Sequence, residues 1–211
     1  MYDYVVKELP KVLSDNFEQL NTSRASIFGH SMGGHGALTI YLKNTDKYKS
    51  VSAFSPVVNP INCPWGQKAF SNYLGPAKSD WEEYDATCLI KKCNKISTPI
   101  LIDQGEDDKF LAKQLLPRNF EEACKAVGAP LTLRMQPGYD HSYFFIATFI
   151  DDHIAHHSQF LKSADYQATY LLTLVNDLLS LEMWINSSRL LQNVTVCVCI
   201  SAVGAACPKH C

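Results

Sequence analysis

With 211 residues, 46% hydrophobic and 19% charged, the sequence has the length and balance of one packed domain plus an appendage. A formal net charge of −2 and the lack of a long basic run exclude the electrostatic footprint of a nucleic-acid binder. Met1-Tyr2-Asp3-Tyr4 has neither a basic nor an apolar leader region, so no signal peptide is read and a cytosolic location is expected.

Residues 3–20 place Val5, Leu9, Val12, Leu13 and Leu20 near helical spacing, with Pro10 kinking or shortening the helix. Arg24 to Phe28 reads as a strand. Gly29 to Gly34 is a turn, and Gly36 to Leu42 opens a helix. Ser50 to Phe54 is a second strand, ended by Ser55-Pro56. A long loop rich in Pro and Gly follows. Ile100 to Asp103 is a buried-strand pattern closed by Gln104-Gly105, and Phe110 to Val127 is mostly helical. Leu131 to Met135 is a strand broken by Pro137-Gly138, and Tyr143 to Leu161 is a helix. Strands alternating with helices predict an α/β fold with a parallel sheet and right-handed crossovers.

The turn 29–34 contains G-x-S-x-G around Ser31, between an apolar run and small residues. A serine hydroxyl is a poor nucleophile until a base takes its proton, and that base needs an orienting acid. A sharp strand–turn–helix lifts the serine out of the sheet, and glycines flank it where elements pass closely. Gly29 and Gly33 meet that need here, and Met32 offers a backbone N–H to a developing oxyanion. Acid candidates Glu106, Asp107 and Asp108 follow the third strand, and His141 follows the fourth. Active sites of open parallel sheets assemble at such strand ends. The order Ser…Asp…His is one known arrangement of this chemistry. Spacing alone does not separate the three acids. His30 and His35 lie too close to Ser31 in sequence to serve as its base, while His153, His156 and His157 are expected to be solvated on a late helix.

Five segments carry a resemblance: GHSMGGHGAL, YKSVSAFSPVVNP, CPWGQKAFSNYLG, ILIDQGEDDKFL and GYDHSYFFIATFIDDHIAHH. Over about residues 1–162 they resemble the S-formylglutathione hydrolase (esterase D) family. The resemblance implies an α/β-hydrolase fold, a mostly parallel sheet with helices on both faces. It implies a cytosolic serine hydrolase that splits S-formylglutathione into formate and glutathione, in formaldehyde catabolism, and also cleaves simple esters without a cofactor or metal. Carried over by position, Ser31 is the nucleophile, Asp108 the acid, His141 the base and Met32 an oxyanion donor. Trp65 and Lys68, in the matching loop, are read either as lining the substrate cleft, with Lys68 meeting a glutathione carboxylate, or as a packed Trp and a solvated Lys. The expected partner is a small molecule, with no nucleic acid and no membrane, and a homodimer is a possible assembly.

Both ends depart from that pattern. Thirty residues before Ser31 hold about one helix and one strand, so the N-terminal strands of the fold are expected to be missing. The loop that gives the second oxyanion donor would go with them, and the first strand is expected to expose a sheet edge. An inactive fragment acting at most as a binding module is therefore the alternative to an enzyme, and acyl transfer to an alcohol is a third reading. Residues 163–211 form a divergent tail, expected to be poorly ordered. Within it, 170–181 suit an amphipathic helix, and 194–206 are apolar but shorter than the roughly twenty residues of a bilayer span. Cys197, Cys199, Cys207, His210 and Cys211 fit no zinc spacing. The sequons at Asn186 and Asn193 are silent in a cytosolic protein.

Overall fold

The computed structural model describes residues 2–93 and 96–161, and the backbone of residues 195–202. A π-helical segment Tyr4–Glu8 leads into α1 (Leu9–Asn16), with Pro10 accommodated in its first turn. Pro10 has no N–H to give the Val6 carbonyl four residues back, and the π-helical turn ahead of it lets the helical run continue while Val6 O accepts from Lys47 Nζ instead. Then follow β1 (Leu20–His30), α2 (Met32–Lys43) and β2 (Tyr48–Phe54). The stretch expected as a long loop holds three helices, α3 (Pro64–Tyr73), α4 (Lys78–Trp81) and α5 (Ala86–Lys92). α3 and α5 are opened by side-chain caps, Cys63 accepting from the Gly66 N–H and Asp85 from the Cys88 N–H. β3 (Ile100–Gly105), α6 (Pro117–Val127), β4 (Leu131–Gln136), α7 (Tyr143–Leu161) and β5 (Thr195–Ala202) follow among the described residues. The helix expected over 110–127 is interrupted: Leu116 is left-handed at φ 55°, and α6 begins at Pro117.

The sheet order is β4-β3-β2-β1-β5. β1 to β4 are parallel, with His30 beside Phe54 and Phe54 beside Asp103. Their carboxyl ends therefore stand in one row. β5 runs antiparallel along β1, from Leu20 beside Ala202 to His30 beside Thr195. The β1 edge expected to be bare is thus paired, and residues 195–202 are a strand within the segment expected to be poorly ordered. The helix expected within 170–181, the sequon asparagines, Cys207, His210 and Cys211 lie outside the described residues, as do the side chains of Cys197 and Cys199. Among the described residues no helix is long and apolar enough to cross a membrane.

Side chains alternate across a strand, so neighbouring residues feed opposite layers. Ile27, Val51 and Ile102 join the larger core with Leu38 of α2, Ile90 of α5 and Phe120 of α6. Phe28 and Phe54 face the other way and pack with Phe145 and Leu161 of α7.

The α7 face is partly polar, which corrects the expectation of solvated histidines. His153 and His157 are fully buried. Spaced four residues apart, they point at the sheet from one helix face. The carboxylate of Asp103 sets the direction of a hydrogen-bond chain. His153 Nε2–H donates to Asp103 at 3.0 Å, and Ser52 donates to His153 Nδ1 at 2.7 Å. His157 Nε2–H donates to Ser52 and accepts at Nδ1 from Ser50, both at 2.8 Å. Ser26 closes the chain at 2.7 Å from Ser50. Arg134 pairs with Asp103 and, at 2.7 Å, with Asp152. Burial alone would raise the Asp103 carboxyl, but His153 and Arg134 outweigh it and hold the group below its usual range.

This seam makes stability acid-sensitive. Burial lowers the pKa of His153 and drives His157 well below 6.5. Burial also brings His30 and His156 to about 4. Below about pH 6.5 the unfolded chain takes up protons that these folded histidines refuse, so stability falls as pH falls. The loss runs from 6.5 down to about 4, where His30 and His156 protonate in the fold as well. The lowered carboxyls of Asp103 and Asp108 add a second loss below their unfolded value of 3.8. Urea midpoints should decline steadily between about pH 7 and 4.5. A flat midpoint over that range would contradict the assignment.

Candidate active site

The row of strand carboxyl ends carries the site. β1 delivers His30 to its end, Ser31 makes the turn and α2 begins at Met32. Ser31 has φ 55° and ψ −113°, a strained conformation for a residue with a side chain. Such strain costs on the order of 1–3 kcal/mol and persists only when the surroundings hold it. They do so here. The Ser31 N–H donates to Phe54 O at 2.9 Å, and Ser31 O accepts from the N–H groups of His35 at 2.9 Å and Val57 at 3.3 Å. The close approach behind this turn falls at Gly34, one residue beyond the glycines of the G-x-S-x-G pattern. A Cβ at Gly34 would lie 2.9 Å from Pro56 Cβ and 3.2 Å from Gly29 O.

Burial separates the three acid candidates. Glu106 and Asp107 are exposed, and Asp108 is 4% exposed. One Asp108 oxygen accepts from the Phe110 N–H at 2.8 Å. The other accepts from His141 Nδ1–H at 2.5 Å. Burial pushes the Asp108 carboxyl upward, but the bonds from His141 and Phe110 outweigh it and leave it lowered. It is therefore an anion at neutral pH.

His141 sits between the rings of His30, 4.5 Å away, and Phe110, 5.1 Å away and edge-on. With Nδ1–H given to Asp108, its Nε2 is the acceptor, and Ser31 Oγ lies 2.9 Å from it. The structure thus brings Ser31, His141 and Asp108 together as nucleophile, base and orienting acid would stand. His30, held neutral by burial, packs against the base. His35 is tied at 2.6 Å to Tyr84 O on the far side.

The carriers of His141 and Asp108 are clamped backbone to backbone. Glu106 N–H donates to Gln136 O and Asp107 N–H to Tyr139 O, each at 3.0 Å. A Cβ at Gly105 would lie 2.3 Å from Tyr139 O, so the loop closes here only over a glycine.

A cleft of about 250 Å³ opens above Ser31. Met32 and His141 flank the serine, and Trp65, Phe110 and Gln114 form the wall. Met32 is the first residue of α2, where backbone N–H groups lack intrahelical partners and the helix dipole favours negative charge. Lys68 is exposed further along α3 and does not line this cleft. It is the N-terminus of α3, not its second turn, that abuts the site. A recess of about 380 Å³ lies on the outer side of His141, lined by Asp107, Lys109 and Asp140 among others, and does not reach Ser31. Sequence reasoning did not pick out Phe110 and Gln114, although a helical reading spaces them one turn apart on one face. Among the described residues no group of three or more His, Cys, Asp or Glu could hold a metal ion.

Known proteins share this arrangement of elements. Residues 1–156 match the Esterase family. An S-formylglutathione hydrolase of Arabidopsis thaliana is 74% identical over 162 residues, 77% of this chain and 57% of that protein. An S-formylglutathione hydrolase of Rattus norvegicus is 58% identical over 164 residues, covering 77% of this chain and 58% of that protein. The chain therefore spans a little over half the length of these relatives. Among solved structures, an S-formylglutathione hydrolase from Agrobacterium tumefaciens superposes with TM-score 0.73 at 49% identity, over 77% of this chain and 58% of that one. A fluorophosphonate-binding serine hydrolase from Staphylococcus aureus superposes with TM-score 0.60 at 22% identity, over 77% of this chain and 64% of that one, and shows the fold alone. The fold is that of the α/β hydrolases.

Proposed function

The chain belongs to the Esterase family, and from that membership we propose that it is a serine hydrolase acting on S-formylglutathione and on simple esters. The observation that carries this is the Ser31–His141–Asp108 array, bonded end to end at 2.9 and 2.5 Å. Identities of 74% and 58% to S-formylglutathione hydrolases supply the substrate class. The assembled array favours catalysis over the reading of a binding module alone.

In the proposed reaction Ser31 Oγ attacks the formyl carbonyl while His141 Nε2 takes its proton. Asp108 holds the resulting imidazolium. The carbonyl oxygen gains negative charge beside the N-terminus of α2, where the Met32 N–H is the donor to it. The C–S bond then breaks, and His141 returns its proton to the leaving thiolate, giving free glutathione. Water attacks the formyl ester with His141 again as base, releasing formate and restoring Ser31. A thiolate leaves more readily than an alkoxide, which places most of the burden on oxyanion stabilisation. We place this activity in cytosolic formaldehyde catabolism.

Purified chain given S-formylglutathione should release free thiol and formate in equal amounts, dependent on Ser31. A folded sample that releases neither would refute the proposal.

A further inference from the structure

The segment that follows the acid also builds the substrate wall. The Phe110 N–H is held by Asp108 at 2.8 Å, and the N–H groups of Gln114 and Leu115 both return to Phe110 O, at 2.9 and 3.1 Å. This closes a π-helical turn, Leu111–Leu115. Buried Leu115 pins its far end, with Leu115 O accepting from the Val58 N–H at 3.2 Å. Gln114 is therefore placed by the acid itself.

Its amide orientation follows from its partner. The Trp65 backbone N–H lies 3.0 Å from Gln114 Oε1, and only the oxygen can accept it. An amide is planar, so with Oε1 committed the two Nε2 hydrogens have set directions. No acceptor among the described residues takes them, and Nε2 is not among the buried atoms lacking a partner. It is a free donor on a residue that lines the cleft holding Ser31 and His141. The neighbouring wall is apolar, formed by Val57, Phe110 and Leu115 beside Trp65. A lone oriented donor on an apolar wall sets the position of one acceptor.

We propose that Gln114 is a substrate-binding residue whose Nε2 donates to a peptide carbonyl oxygen of the thiol leaving group. This rests on the proposed glutathione thioester substrate, whose leaving group carries such carbonyls. A neutral donor suits a neutral acceptor. Gln114 would then discriminate peptide-bearing thioesters from bare esters, a selectivity the triad itself cannot provide.

The test is Gln114→Glu, which keeps an oxygen for the Trp65 N–H but removes the donor. It is read beside the neutral Gln114→Met, which removes the donor without adding a charge that repels the glutathione carboxylates; the assignment requires the thioester-to-ester ratio to fall in both. The kcat/KM values for S-formylglutathione and p-nitrophenyl acetate are measured side by side. One neutral hydrogen bond corresponds to about a tenfold change. The ratio of the two values should fall about tenfold, with the loss mainly in KM for the thioester. Gln114→Met, close in length, decides alone should the Glu variant misfold. A ratio equal to that of the parent chain, whether both rates fall together or neither moves, would overturn the assignment and make Gln114 only a brace for α3. If the parent chain cleaves p-nitrophenyl acetate but not S-formylglutathione, the substrate reading fails and the Gln114 assignment falls with it. Thioester turnover with an unchanged ratio removes the Gln114 assignment alone.

Discussion

Ser31→Ala is expected to lower turnover of both thioester and ester substrates by on the order of 10⁴-fold or more, with the folded state intact. Removing Oγ deletes the only atom that forms the covalent bond, and neither His141 nor Met32 can replace it. Stability should change little. The hydroxyl's contact at 2.9 Å is to a partly buried His141 that water can reach in its absence. The strained backbone at φ 55° stays, because it is held by Phe54 O and by the N–H groups of His35 and Val57 and not by the side chain. A fluorophosphonate probe should label the parent chain at Ser31, as located by mass spectrometry, and leave the variant unlabelled. Residual labelling at another serine, with turnover retained, would remove Ser31 from the reaction.

Gly105→Ala should cost at least about a hundredfold in kcat without touching any reacting atom. The new Cβ would stand 2.3 Å from Tyr139 O, 2.8 Å from Tyr139 C and 2.9 Å from Asp140 O. These are backbone atoms, so no rotamer change relieves the overlap. The loop 137–141 must move away from the end of β3, carrying His141 away from Asp108. A shift of about 1 Å in a catalytic group can cost about 10² in rate. Gly128→Ala is the matched control. Gly128 has φ +69°, and a Cβ added there would meet nothing within 4 Å, so alanine costs only backbone strain. That strain is on the order of 1–2 kcal/mol and should appear in the melt while kcat stays near parental. Circular dichroism would establish folding of both variants. Parental kcat in Gly105→Ala would mean that the clamp between these two loops does not position the base.

Local chemistry made much of this protein readable along the chain. Apolar runs closed by Gly or Ser marked the cores of β1 to β3, because a parallel strand covered on both faces needs continuous hydrophobicity, whereas β4, an edge strand without a buried residue, was marked by the Pro137-Gly138 break after it. The helix Tyr143–Leu161 was legible to its ends. G-x-S-x-G, followed in order by an acid cluster and a histidine after successive strands, placed Ser31 and His141 and narrowed the acid to three neighbours. The helices within 64–92 were hidden behind their Pro and Gly, since their caps, Cys63 and Asp85, are signals only once the helix is known.

The remaining features depend on residues far apart in sequence. The residue pattern left three acids and the family resemblance singled out Asp108; the geometry supplies the reason, since it is the acid that reaches His141, 33 positions away. His157 looked like a solvated residue until the sheet set Ser50 against it, 107 positions away. Gly34 and Gly105 are required by backbone passing overhead, Gln114 by the Trp65 N–H it accepts, and the β1 edge is closed by a strand more than 160 residues downstream. Periodicity reports how much apolar surface a segment must bury. It carries no record of which polar partner, or which backbone, the folded chain brings to meet it.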